Sequence, residues 1–236
     1  MTGQTCKNCE QTLPGDAAYC SACGQSLRRI TRPWLEASKE VAEELFDVDG
    51  RMLRSFRYLL SRPGFLSHEY INGHRVAYTS PVRMYLVVSL LFFLVLPLIL
   101  PERTDFTNED HNFSADLYSK AMFLLLPVFS LLLKLFYRRS YYLAHLVFTA
   151  YLFSAMFIGF AALMSIETAA DRYLMVFALQ FVIFMAMGYY VVAALRKTYG
   201  ESWAKSTLKF FGLLLAFLPV LAISIELASH VPVNAG

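Results

Sequence analysis

The sequence is poor in charge. Only 17% of its 236 residues are Asp, Glu, Lys or Arg, against about 25% in an ordinary soluble domain. Residues of the AVILMFWYC set make up 57%, above the usual level of about 45–50%, so the composition points away from water and towards lipid as the solvent. The formal charge of +3 is too small to indicate nucleic acid as a partner. No short apolar run follows Met1, so no secretory signal is expected, and the first spanning helix should target and anchor the chain. Cysteine is absent after position 23. There is no nucleophile elbow, P-loop, dinucleotide fingerprint or H-E-x-x-H. We therefore expect a protein that is not an enzyme.

The apolar residues come in blocks. Five stretches, 82–100, 121–137, 141–165, 173–195 and 207–228, are nearly free of charge and approach the roughly 20 helical residues that a hydrocarbon core requires. They define an expected bundle over 81–229 with an outer tail at 230–236. Lysine and arginine set the orientation. With the N-terminus cytoplasmic, 18 of the 21 fall on inner segments, and only Arg103, Lys120 and Arg172 fall outside. The segment 101–119 is acidic, carrying Glu102, Asp105, Glu109, Asp110 and Asp116. Five crossings then leave the C-terminus outside.

All four cysteines lie in the first 23 residues, as Cys6-x-x-Cys9 and Cys20-x-x-Cys23. Two C-x-x-C turns can present four thiolates to one tetrahedral metal, and Gly24 suits the tight knuckle after the second pair. Two disulfides are the competing reading, disfavoured by a reducing compartment. A redox C-x-x-C expects a thioredoxin-like pattern that is absent. Iron would use the same ligands, although rubredoxin-like sites separate their knuckles by a longer stretch. The expectation is one structural zinc per chain, in a module over 1–28 too short to fold on apolar burial alone.

A juxtamembrane region follows at 29–80. Residues 33–47 read as an acidic amphipathic helix, with Trp34, Val41 and Leu45 on one face and Glu36, Glu40, Glu43 and Glu44 on others. An acidic helix avoids an anionic leaflet, so its stripe is a candidate docking surface for protein. Residues 51–61 read as a basic amphipathic helix. Met52, Phe56, Leu59 and Leu60 form its stripe, and Arg51, Arg54, Arg57 and Arg62 surround it as candidate membrane-interface cations. Pro63-Gly64 stops this helix. Glu69, Tyr70, Arg75 and Tyr78 form a candidate polar network before the first span. His68 and His74 flank Glu69 at a spacing unusual for metal ligands.

The segment CKNCEQTLPGDAAYCSACGQSL resembles the short double-knuckle zinc ribbon at the start of many bacterial membrane proteins. The pattern Phe46-Asp47-x-Asp49-Gly50, Arg62-Pro63-Gly64 and Glu69-Tyr70-x-x-Gly73-x-Arg75-x-x-Tyr78-x-x-Pro81 is similar to a bacterial family of ribbon-bearing polytopic membrane proteins catalogued as a domain of unknown function. The resemblance runs from the cysteines into the first span. It implies architecture and a bacterial inner-membrane location, and it carries no assigned activity.

Within the apolar blocks, ionisable groups keep to the ends. Lys134 can snorkel, Glu226 is near the outer end, and His145 and Gln180 suit interhelical hydrogen bonds. Pro127 and Pro219 are expected to interrupt their helices. Ala155-x-x-x-Gly159 permits close helix approach. Tyr137, Tyr141, Tyr142, Tyr189, Tyr190, Tyr199 and Trp203 gather at the inner interface as an expected aromatic belt. The fold expected is an all-α integral membrane protein with five transmembrane helices, preceded by a small cytoplasmic zinc ribbon and two amphipathic helices. The function expected is a membrane accessory or assembly protein, held in the lipid bilayer and docking a membrane-protein partner or complex. A small-solute or lipid transporter is the first alternative, and a redox carrier with four-cysteine iron the second.

Overall fold

The computed structural model describes residues 4–14, 17–27, 50–99, 125–168 and 173–230. The acidic segment 33–47, with Trp34, Val41 and Leu45, lies outside the described residues, as do 101–119 and the tail from 231.

The N-terminal module is built on two short strands, β1 (Gln4–Thr5) and β2 (Thr12–Leu13), antiparallel with Gln4 opposite Leu13. A bridge between Tyr19 and Ser26 closes its second half. Seven helices follow among the described residues. They are α1 (Gly50–Ser61), α2 (Phe65–Asn72), α3 (Pro81–Ile99), α4 (Leu125–Phe136), α5 (Tyr142–Thr168), α6 (Tyr173–Tyr199) and α7 (Trp203–His230). The chain is therefore predominantly helical.

Three helices are long and apolar enough to cross a membrane, over Tyr142–Ile166, Met175–Tyr199 and Trp203–Ser224. This makes the chain a multi-pass membrane protein. The other two expected spans give shorter apolar stretches, Pro81–Val95 and Leu125–Phe136, each next to residues outside the described set. α6 and α7 extend past the expected inner ends at 195 and 207, so the turn between them is short. Pro219 lies inside α7 without ending it. A membrane helix can carry a proline where neighbouring groups take up the freed carbonyl.

α5 is the central helix and packs on α3, α6 and α2. Roughly half of its apolar window is buried, whereas α6 and α7 expose most of theirs. Gly159 of α5 meets Met187 of α6 so closely that a Cβ would lie 2.8 Å from Sδ, the close approach expected of Ala155-x-x-x-Gly159. Met84, Tyr85, Val88, Ala150, Tyr151 and Phe157 join α3 to α5 in one core cluster, which also takes Leu59 and Leu66 from α1 and α2.

The juxtamembrane helices are thus part of the bundle. α1 buries Ser55 and Leu59, and α2 is an element that apolar periodicity did not signal. Hydrogen bonds reinforce this docking. The Thr79 N–H donates to Ser55 Oγ at 2.9 Å, Tyr151 O–H to the Thr79 carbonyl at 2.6 Å, and Tyr190 O–H to the Leu59 carbonyl at 2.6 Å. The turn between α1 and α2 depends on Gly64. Its φ is +73°, and a Cβ there would lie 2.6 Å from the Ala194 carbonyl oxygen of α6.

Candidate metal centre

The two knuckles repeat one hydrogen-bond pattern. Cys6 N–H donates to the Gln11 carbonyl at 2.9 Å and Cys20 N–H to the Gln25 carbonyl at 2.8 Å. Glu10 N–H returns to the Cys6 carbonyl and Gly24 N–H to the Cys20 carbonyl, each at 2.9 Å. The residue after each second cysteine is left-handed, with φ +61° at Glu10 and +73° at Gly24. Glycine takes this conformation without strain, but a residue with a Cβ does not. Glycine at 24 signalled one knuckle, while Glu10 hides its twin.

These turns bring Cys6, Cys9, Cys20 and Cys23 together with all four sulfurs within 4.8 Å of one another. Cys6 Sγ is 3.7 Å from Cys23 Sγ, and Cys9 Sγ is 3.5 Å from Cys20 Sγ. A tetrahedral ion with metal–sulfur bonds of about 2.3 Å needs sulfur–sulfur edges of about 3.8 Å, so the four residues fit one ion. None of the four is in a disulfide. Cys6 and Cys20 are buried with Leu13, and Ala17 and Leu27 complete a small apolar cover.

The crowded thiols hold their protons unequally. At Cys20 burial works upwards, but the N–H groups of Cys23 and Ala22 and the neighbouring thiols outweigh it and lower the group to about 7. At Cys9 the Gln11 N–H works downwards, yet burial and the sulfurs of Cys20, Cys23 and Cys6 push the thiol up to about 12. A metal cation would stabilise all four thiolates together. Among the described residues this is the sole group of metal-ligating side chains close enough to hold an ion.

The module rests on the α2–α3 loop. Gly73, left-handed at φ +106°, leaves room for Lys7 of the first knuckle, whose Cβ lies 3.1 Å from where a glycine Cβ would stand. The Arg75 N–H points to Oε1 of buried Gln25, next to the second knuckle, at 3.5 Å. Each knuckle therefore lends one residue to the seat.

The expected polar network divides. Glu69 binds His74 Nδ1 at 2.7 Å and lies 3.4 Å from His68 Nδ1, so both imidazoles converge on one carboxylate. Arg75 forms no ion pair with Glu69. Its guanidinium lies 5.4 Å from the Tyr70 ring, and Nε donates to the Tyr70 carbonyl at 3.4 Å. Tyr78 packs edge-on to Tyr58 and Phe65. Burial, then the Glu69 charge, raises its phenol above the usual value. Of the four interface arginines, Arg51, Arg54 and Arg57 are exposed on α1, while Arg62 lies over the rings of Tyr58 and Phe65 at 5.2 and 5.6 Å.

The aromatic belt also divides. Tyr141, Tyr189 and Trp203 are exposed. Tyr137 and Tyr199 turn inward and stack at 3.9 Å. Tyr199 O–H meets His145 Nδ1 at 2.6 Å, an interhelical bond of the kind expected at His145. Lys209 Nζ lies 3.9 Å from the Tyr137 ring centroid and 2.6 Å from Glu201 Oε1. This inward polar cluster joins α4, α5, α6 and α7, and sequence spacing did not reveal it. Lys134 instead donates to the carbonyls of Arg138 and Ser140, at 2.9 and 2.6 Å, and braces the turn between α4 and α5. Half-buried Gln180 makes no hydrogen bond with another described residue.

Residues 49–93 match the model of a family described as "Protein of unknown function (DUF3667)". No curated protein matches the chain. No solved structure matches it either. The family match covers α1, α2 and most of α3, the part that seats the metal module on the bundle.

Proposed function

We infer that the chain is a membrane accessory or assembly protein without catalytic activity of its own, in which a zinc ribbon presents a docking surface beside the membrane. The observation that carries this reading is the seat of both knuckles on the Gly73–Arg75 loop. A module built around a four-thiolate site, which leaves no open coordination position, is held at the head of α3 with Thr12, Pro14 and Tyr19 exposed. Zinc fits the four sulfurs and serves a structural role there. Trp34, Val41 and Leu45 would extend the docking surface. Arg51, Arg54 and Arg57 would anchor α1 in the interface with anionic lipid.

The apolar blocks favour five spans, the family resemblance favours a bacterial inner membrane, and the Lys and Arg distribution favours a cytoplasmic N-terminus with the C-terminus outside. The turn at Arg138–Arg139 and the turn after Arg196–Lys197 lie at one end of the bundle, joined by the Tyr137–Tyr199 stack. In a variant lacking the native cysteines, an impermeant reagent should label a cysteine at position 110 and spare one at 139 in intact cells. The reverse pattern refutes the orientation.

The docking reading is tested by purification in mild detergent with mass spectrometry of the proteins retained. Val41→Glu with Leu45→Glu, or Cys20→Ser with Cys23→Ser, should release a partner and leave the bundle folded. Retention of every co-purified protein in both variants sinks the reading. Elemental analysis should find about one zinc per chain, and a red protein rich in iron would favour the redox carrier. The inward cluster of Tyr137, His145, Tyr199, Glu201 and Lys209 favours a small-solute or lipid transporter as the second reading. A bundle that always purifies alone with a bound solute would establish that one.

A further inference from the structure

We propose that the α6–α7 turn carries a binding site for the headgroup of an anionic phospholipid, formed by Arg196, Lys197 and Lys205 around the paired rings of Trp203 and Tyr189. The site begins with Gly200. At φ +68° its N–H closes on the Arg196 carbonyl at 2.9 Å, ends α6, and lets α7 start at Trp203. Arg196 and Trp203 thereby become neighbours across the turn, with the guanidinium carbon 4.9 Å from the indole ring. Tyr189, two turns back along α6, stacks on the same indole at 5.8 Å with 21° between the planes. Both rings are exposed, at 63% for Tyr189 and 43% for Trp203.

Charge is arranged to match. The turn has one carboxylate, Glu201, and it faces inward. One oxygen meets Lys209 at 2.6 Å and the other is buried. Arg196, Lys197 and Lys205 are exposed and form no ion pair with a described carboxylate. A planar guanidinium held over an indole keeps its N–H fork available, and that fork matches the oxygens of a phosphate. Trp and Tyr prefer the headgroup level, with the ring body in the apolar layer and the polar edge towards water.

The surface beside these rings selects lipid over a soluble anion. Phe181 and Met185 of α6 and Leu208 and Phe211 of α7 are exposed along the same two helices. An acyl chain can cover that surface while its headgroup meets the cations. An acidic peptide would have only the cations to bind.

The test uses the full-length protein with Trp34→Phe, which leaves Trp203 as the sole tryptophan. In phosphatidylcholine vesicles, its fluorescence is quenched with brominated phosphatidylglycerol or with brominated phosphatidylcholine, and the two series give a relative binding constant. We expect a ratio of about 5 in favour of the anionic lipid, the fold-change that corresponds to about 1 kcal/mol from a cation near an anionic headgroup. Arg196→Gln with Lys205→Gln should bring the ratio close to 1. Lys205→Gln alone should lower it part of the way and leaves the Arg196–Trp203 contact in place, which separates lipid loss from misfolding. Arg54→Gln with Arg57→Gln, on α1 and outside the proposed cluster, should leave it unchanged. A ratio of 1 in the parent protein overturns the proposal. So does a ratio that survives the Arg196 and Lys205 changes, or one that falls equally with the α1 changes and so reports only a diffuse field.

Discussion

Replacing Gly64 by alanine should be among the most damaging single-methyl changes in the membrane domain. Two costs combine there. At φ +73° any residue with a Cβ adopts the left-handed conformation, at about 1–2 kcal/mol. The new Cβ would also stand 2.6 Å from the Ala194 carbonyl oxygen and 2.9 Å from the Ala194 Cα. Both atoms belong to the α6 main chain, so no side-chain rotation relieves the overlap, and overpacking of this kind costs about 1–3 kcal/mol. The sum is about 2–5 kcal/mol. Gly200 isolates the first cost, because its φ is +68° with nothing within 4 Å of an added Cβ. Gly200→Ala should lose only about 1–2 kcal/mol. Gly188 lies in α6 with neither constraint, and Gly188→Ala should be neutral or stabilising by up to about 1 kcal/mol. Reversible unfolding of the full-length protein in mixed detergent micelles, followed by circular dichroism, ranks the three. Equal losses for Gly64→Ala and Gly200→Ala would falsify the close seat of the α1–α2 turn on α6.

Glu10→Gly should relieve the left-handed strain of the first knuckle and stabilise the metal-bound ribbon by about 1 kcal/mol, seen as tighter zinc retention against a competing chelator. Unchanged or weaker retention counts against the paired-knuckle geometry. Tyr199→Phe removes the hydrogen bond to buried His145 and should cost the bundle about 1–3 kcal/mol, with the Tyr137 ring still stacked. A loss below about 0.5 kcal/mol, the level of an ordinary surface change, would show that this bond contributes little. Tyr190→Phe frees the Leu59 carbonyl and should speed hydrogen exchange in α1 while α7 keeps its protection. Equal acceleration in both helices refutes a local anchor.

The legible parts of this chain are those where one residue type has one physical use. Four cysteines in two C-x-x-C turns point to one shared site, and the structure brings their sulfurs within 4.8 Å, close enough to hold one ion. Long uncharged blocks specify helices, and α5, α6 and α7 lie where those blocks fall. The illegible parts depend on pairs of distant residues. Nothing local to Tyr199 shows that it turns towards His145, 54 positions away, while Tyr189 on the same helix faces outward. Both are tyrosines near an interface, and the helix phase relative to α5 decides between them. α2 is hard to read from the sequence for a related reason. Its eight residues, FLSHEYIN, have little amphipathic pattern, and the helix packs on both α5 and α6 rather than on one neighbour. The split of Glu69 from Arg75 follows from Gly73. That glycine returns the chain so that His74 reaches the carboxylate and Arg75 lies back over Tyr70.

The metal module and the membrane bundle are joined by contacts of unequal strength, and this inequality shapes what the ribbon can do. The loop at the head of α3 is held firmly from the bundle side. Thr79 is bonded through both its N–H and its carbonyl, to Ser55 and Tyr151, in buried surroundings. From the ribbon side the contacts include a lysine stem on Gly73 and an N–H···O distance of 3.5 Å between Arg75 and Gln25, the long edge of a hydrogen bond. A lysine stem covers apolar surface while its ammonium stays in water, so little is lost when it lifts away. A module this short would draw its internal stability from a metal and the bundle from apolar burial, so each should fold without the other. On these contacts the seat is lighter from the ribbon side than from the bundle side, and docking as proposed requires a partner able to compete with it. Such a partner would compete for Lys7 and Gln25 and would leave the bonds at Thr79 unchanged. The weak side of the joint is therefore the side that faces the cytoplasm in the proposed orientation, which is where a docking module needs its freedom.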